Sequence, residues 1–320
     1  MRLRTTAGLV LAGMASLASG AVQAEEKMSV VATFSILADF VEKVGGDRVA
    51  VRTLVGPEAD AHVYQPSPAD AADVGKAKVV FQNGLGFEGW MERLVQSSGY
   101  KGPLVVATKG IEPIKGEEDD HDDHEKHKGE KHDDHAKEGG HDHGDIDPHA
   151  WQSVPNAILY VANVKEGLCA ADKDGCPVYT HNAAAYAVEL NKLNEEIKSK
   201  VAAIPEKSRK VITSHDAFGY FAKAYGVEFL SPTGVSTESE ASAKDVAKLI
   251  DQIKKDGVKA VFVENITDTR LIEQIAKETG AKIGGTLYSD ALSKKEGPAK
   301  SYLDMMRHNA GLLAGAMAGS

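Results

Sequence analysis

The chain has 320 residues, with 37 Lys and Arg against 47 Asp and Glu. Its formal net charge of −10 excludes a nucleic-acid binder, which needs clustered cations to meet phosphate, and suits a protein that attracts cations. The length allows two domains with their own cores, and the only cysteines, Cys169 and Cys176, stand too far apart and too few to suggest a thiolate metal site.

The N-terminus, MRLRTTAGLVLAGMASLASGAVQAEEK, places arginines before a short apolar run and then small residues. That order predicts a secretory signal peptide over 1–24, cleaved after Ala24, with an apolar stretch too short to span a bilayer. No cysteine stands at the cleavage end, so a soluble periplasmic protein is expected rather than a lipid-anchored one. In that oxidising compartment Cys169 and Cys176 are expected to form a disulfide closing a short loop, worth about 2–3 kcal/mol at most.

Beyond the signal, MSVVATFS (28–35), VAVRTLVG (49–56), KVVFQNG (78–84) and GPLVVATKG (102–110) read as strands. ILADFVEKVGG, SPADAADVGKA and FEGWMERLVQSS read as the helices between them. A charged run follows. Order resumes near Asp147 with helical VPNAILYVANVKEGLCAAD and then a long helix in which Tyr186, Leu190, Leu193, Ile197 and Val201 share one face. The alternation then restarts with strands at RKVITSH (209–215), VEFLSPTG (227–234), KAVFVEN (259–265) and KIGGTLYS (282–289). The fold class is therefore α/β, with two Rossmann-like lobes of parallel sheet joined by a long rigid helix. The expected divisions are an N-terminal lobe over 25–180, carrying a His-rich disordered loop at 115–146, a linker helix over 181–206 and a C-terminal lobe over 207–320. A helical linker is stiffer than a Gly/Ser one, so modest lobe adjustment is expected rather than wide hinge closure.

In open parallel sheets, ligands gather beyond the carboxyl ends of the strands. His62 follows the second strand, His149 precedes the first helix after the charged run, His215 ends KVITSH, and Asp290 follows GGTLYS. Each half supplies two, as a ligand gripped between lobes requires. Three imidazoles and a carboxylate suit tetrahedral Zn2+, whereas Mg2+, Ca2+ and Mn2+ prefer more oxygen.

The segments DAHVYQPSP, NGLGFEGW, DPHAW, SHDAFGY, GVSTESEASAKDV and LYSDAL, in this order from about residue 28 to the C-terminus, resemble the cluster A-I substrate-binding components of zinc and manganese ABC importers, in particular their ZnuA-like zinc-binding subgroup. The resemblance implies that His62, His149, His215 and Asp290 are the metal ligands. Manganese binders of the family usually have glutamate where this chain has His215, which implies zinc. Ala61 departs from the proline that many members carry before the first ligand, which implies a slightly looser loop there.

The run EEDDHDDHEKHKGEKHDDHAKEGGHDHG (117–144) holds His121, His124, His127, His132, His135, His141 and His143 and no residue that could build a core. Such a tract is expected to collect zinc weakly beside the cleft, as loops of zinc-binding members do. His181 and His308 are expected to be surface or capping residues. Glu58 and Asp60 could orient His62, Phe34, Trp151, Phe218 and Tyr288 could wall the site, and Asp216 or Glu264 could accept an imidazole N–H.

The expected function is capture of Zn2+, as transported ligand, in the periplasm and delivery to the membrane permease of a zinc ABC importer, by a monomer, with a periplasmic zinc chaperone as a further candidate partner. A manganese-binding member of the same family is one alternative, and a zinc buffer without a transporter another. A zinc hydrolase is a third, against which stand four ligands filling the sphere and the lack of HExxH. Because the imidazoles must be neutral to bind, affinity is expected to fall as pH drops through about 6.5.

Overall fold

β-branched runs buried on both sides and helices with one apolar face build the same layered unit twice. In the computed structural model, which describes residues 27–116 and 146–319, the first unit holds β1 (Met28–Phe34), α1 (Ser35–Gly45), β2 (Val49–Val55), α2 (Pro68–Lys76), β3 (Val79–Gln82), α3 (Met91–Ser98) and β4 (Leu104–Val106). Its strands are parallel in the order β2-β1-β3-β4. Val30, Val31, Val79, Val80 and Phe81 are fully buried, as expected where helices cover both faces of a parallel sheet. Two long helices follow, α4 (Val154–Ala171) and α5 (Cys176–Ala202).

The second unit comprises β5 (Lys210–Ile212), α6 (Gly219–Tyr225), β6 (Glu228–Leu230), α7 (Ala243–Asp256), β7 (Ala260–Glu264), α8 (Arg270–Thr279), β8 (Lys282–Leu287) and α9 (Tyr302–Ala318). Its sheet runs β6-β5-β7-β8, again all parallel, so the two units share one strand order. In register, Phe34 lies beside Val55 and Glu264 beside Leu287, so neighbouring strands end level and their outgoing loops open on a common edge.

The helix between the units begins at Cys176 rather than at His181, because Gly175 precedes it and Pro177 suits its first turn. Tyr186, Leu190, Leu193, Ile197 and Val201 are all buried along it. Cys169 and Cys176 are bonded, with Cα atoms 4.5 Å apart, and tie the end of α4 to the start of α5. α5 packs against α1, α4 and α9. At that junction the ring of Phe40 lies 4.7 Å from Tyr302 and 6.3 Å from Tyr186, so one apolar core runs through both units. A smaller cluster around Ile212, Ile253, Val261 and Ile275 belongs to the second unit alone.

The signal segment and the seven histidines between 121 and 143 lie outside the described residues. The two ends of the His-bearing insert meet at an antiparallel bridge between Lys115 and Ile146.

Candidate metal centre

The sequence places two of the four expected donors in the same local device. In Asp60-Ala61-His62 and Asp147-Pro148-His149, an aspartate two residues upstream accepts the backbone N–H of the histidine, at 2.9 Å and 2.8 Å. Short aspartate side chains close such turns readily and fix the chain just before the imidazole leaves it. His215 is fixed by a different route. Glu264, the last residue of β7, accepts the backbone N–H groups of Ser214 and His215 through Oε1 at 2.7 Å and 3.0 Å. Asp290 follows β8, where Trp151 Nε1 and Gln152 Nε2 from the first unit both donate to the carbonyl of Ser289, at 2.9 Å and 2.7 Å.

The four side chains converge. His62 Nε2 lies 3.3 Å from His149 Nε2 and 3.3 Å from Asp290 Oδ2. His149 Nε2 is 3.5 Å from Asp290 Oδ1, and His215 Nε2 is 3.3 Å from Oδ2. All four donor atoms fall within 4.8 Å of one another. A regular tetrahedron around an ion with bonds of about 2.0–2.1 Å has edges of about 3.3 Å, the spacing of these contacts. Exposure is 6% for His62, 1% for His215 and zero for His149 and Asp290. Both oxygens of Asp290 and Nε2 of His215 are buried without a hydrogen-bond partner. A buried carboxylate ringed by three imidazoles needs compensating positive charge, which protons on the rings or a bound cation can supply.

Carboxylates behind the imidazoles set their orientation and charge. Asp147 Oδ1 lies 2.8 Å from His149 Nδ1, which turns Nε2 to the centre. Glu264 Oε2 lies 2.6 Å from His215 Nδ1, a charge contact out of line for a straight hydrogen bond. Burial alone would push the His149 imidazole down, but the charges of Asp290 and Asp147 outweigh it and raise its pKa to about 9. His215 likewise, against burial, is held well above its ordinary value by Glu264 and Asp290. Burial would raise the Asp290 carboxyl, yet His149 and His215 hold it well below the usual carboxylate range. The protonation window expected near 6.5 from isolated imidazoles is thus moved upward by buried acids that composition alone does not place.

The walls are aromatic on the side of the first unit. His62 meets the ring of Phe87 edge-on at 4.7 Å, and His149 lies 5.3 Å from Trp151, with Phe34 4.9 Å behind both Phe87 and Trp151. Phe34 and Trp151 therefore stand where the sequence suggests. Tyr288 packs instead against His308 at 5.4 Å, and Phe218 stacks on Phe229 at 4.9 Å within the second unit. Of the two acceptor candidates, Glu264 faces His215, whereas the backbone of Asp216 is bonded to the carbonyls of Thr233 and Gly234. Glu58 pairs with Lys294 at 3.0 Å, and Asp60 holds the His62 main chain. His181 is exposed on α5, and His308 lies 3.0 Å from the Thr286 carbonyl, both outside the cluster. Asp147 and Phe87 escape a reading by strand ends. The signal for Asp147 is the repeated Asp-x-His spacing.

Residues 30–316 match the family described as zinc-uptake complex component A, periplasmic (ZnuA). The chain is similar to the manganese-binding lipoprotein MntA of Halalkalibacterium halodurans, with 31% identity over 94% of this chain and 92% of that one. It is equally similar to the iron-binding protein YfeA of Yersinia pestis, with 31% identity over 95% and 93% of the two chains. Among solved structures, the periplasmic zinc-binding protein TroA of Treponema pallidum superposes with a TM-score of 0.79 at 28% identity, covering 92% of this chain and all (100%) of that one. The manganese-bound periplasmic metal-binding protein of Candidatus Liberibacter asiaticus superposes with a TM-score of 0.77 at 29% identity, covering 91% and 100% of the two chains.

Proposed function

Because the chain belongs to the ZnuA family of periplasmic metal-binding components of ABC transporters, we propose that it captures Zn2+ between its two units and hands it to a membrane permease. It is a metal-binding transport component and not an enzyme. The ligands in this reading are His62, His149, His215 and Asp290, and the observation that carries it is three imidazole Nε2 atoms turned onto a buried carboxylate with no other partner. An N-rich set of four at tetrahedral spacing favours zinc. The periplasm is the proposed compartment, following the family and the N-terminal signal pattern.

Manganese is the second reading. It is supported by one relative named for that ion, by another solved with it bound, and by a carboxylate whose two oxygens both face the imidazoles. Direct competition between Zn2+ and Mn2+ for one protein sample separates the two.

The test compares zinc stoichiometry and affinity for the intact chain, a variant lacking residues 117–144, and His149→Ala. Deletion of the His-rich run is expected to remove weak sites and leave one tight site. His149→Ala is expected to weaken that site by about 100-fold or more, beyond what loss of an outer-shell partner costs. Tight binding that survives His149→Ala and vanishes with the run would overturn the proposal.

A further inference from the structure

A cavity of about 520 Å³ reaches the cluster from the second unit, with His215, Ser214, Asp60, Thr233 and Thr237 in its wall. Among the described residues, buried side chains back the ligands on the side of the first unit. Phe87 and Trp151 are 1% and 0% exposed behind His62 and His149, and the Ser289 carbonyl next to Asp290 is pinned by Trp151 and Gln152. Ser214, which lines this cavity, has a buried hydroxyl without a hydrogen-bond partner. Asp60 closes the cavity side across the two units. Its Oδ1 accepts the His62 backbone N–H at 2.9 Å, and its Oδ2 accepts the hydroxyl of Thr237 at 2.7 Å.

Resting on the reading that the four side chains hold the transported ion, we propose that this cavity is the port through which the ion enters and leaves, and that Asp60 is the positioning residue that keeps it shut through Thr237. One carboxylate grips both the turn that presents His62 and the facing loop of the second unit. When Thr237 lets go, the loop can swing from the cavity mouth, and the His62 turn loses its brace in the same event. The ion then meets water past Ser214 rather than past an aromatic wall. Because the latch contacts no donor atom itself, it governs the speed of exchange more than the depth of the well.

The experiment uses the full chain loaded with Zn2+ and follows its release to an excess of chelating dye by stopped flow, together with its association rate and equilibrium affinity. A hydrogen bond to a charged group is worth roughly 1.5–3 kcal/mol, so Thr237→Val is expected to speed release and uptake together by about 10-fold or more. The dissociation constant should stay within about threefold, and Thr237→Ser should restore the original rates. Thr237→Ala serves if valine disturbs folding. Release and uptake at the original speed in a folded variant would overturn the port assignment, as would a weakened affinity with unchanged uptake. If the unaltered protein binds no zinc tightly, the proposed function falls and takes this inference with it. If it binds and Thr237→Val changes no rate, the port assignment alone falls.

Discussion

Loading the site with a divalent ion should expel about two protons at neutral pH. The perturbation is pH itself. With His149 raised to about 9 and His215 held well above its ordinary value, both imidazoles should carry protons at pH 7 in the ion-free protein. Those two charges offset most of the buried Asp147, Glu264 and Asp290 carboxylates, and an ion of charge two replaces them without changing the total charge of the pocket. Each proton displaced contributes a tenfold change in affinity per pH unit, so the dissociation constant should tighten about 100-fold from pH 6.5 to 7.5. The slope should lessen by one proton once pH passes about 9, where His149 loses its own. The stability of the ion-free protein runs the other way. Folded pKa values raised above the unfolded value of about 6.5 contribute stability that is fully present below that pH and is lost as pH rises through the folded value. Calorimetric titration with Zn2+ in buffers matched in pH but different in ionisation enthalpy counts the protons directly. Fewer than about one proton released at pH 7, or an affinity flat from pH 6.5 to 8.5, would refute the charge-exchange reasoning.

Glu264→Gln keeps an acceptor for the Ser214 and His215 N–H groups but sets a neutral amide against His215 Nδ1, removing the charge that turns and polarises the ring. Zinc affinity by chelator competition should weaken about 10- to 100-fold, and an unchanged value would show that Glu264 only braces the backbone. Asp39 is buried at the junction of the units, where it accepts the Tyr302 N–H at 3.0 Å, and burial pushes its carboxyl up to about 6. The native state therefore binds the extra proton between about pH 4 and 6, and stability falls as pH rises through that window, by up to about 3 kcal/mol. Asp39→Asn should raise the melting temperature by several degrees at pH 7 and little at pH 4, and an equal shift at both pH values would discard this account.

Much of the fold was legible because period-two and period-3.6 patterns report burial directly, and the donors lie where strands end. Lengths were less legible. The strands β5 and β6 keep only three residues each of the longer runs; beyond them the pairing is interrupted and returns in the same register as a single bridge between His215 and Thr233. α3 starts at Met91 rather than near Phe87 because Glu88 turns inward to accept the Asn83 and Gly84 N–H groups, beside a left-handed Leu85. The Asp147 contact was encoded in a spacing that repeats at Asp60. The choice of Glu264 over Asp216, and the reach of Asp60 to Thr237, depend on how loops distant in sequence fold over one another. Local pattern carries no trace of that.

The aromatic seam of Phe40, Tyr186 and Tyr302 has a consequence for the molecule as a whole. Because the larger core is shared across this seam, the loss of either half strips packing from the other, so heat should take both in one cooperative step. An ion seated at one edge would then protect the far helices as firmly as the loops it touches.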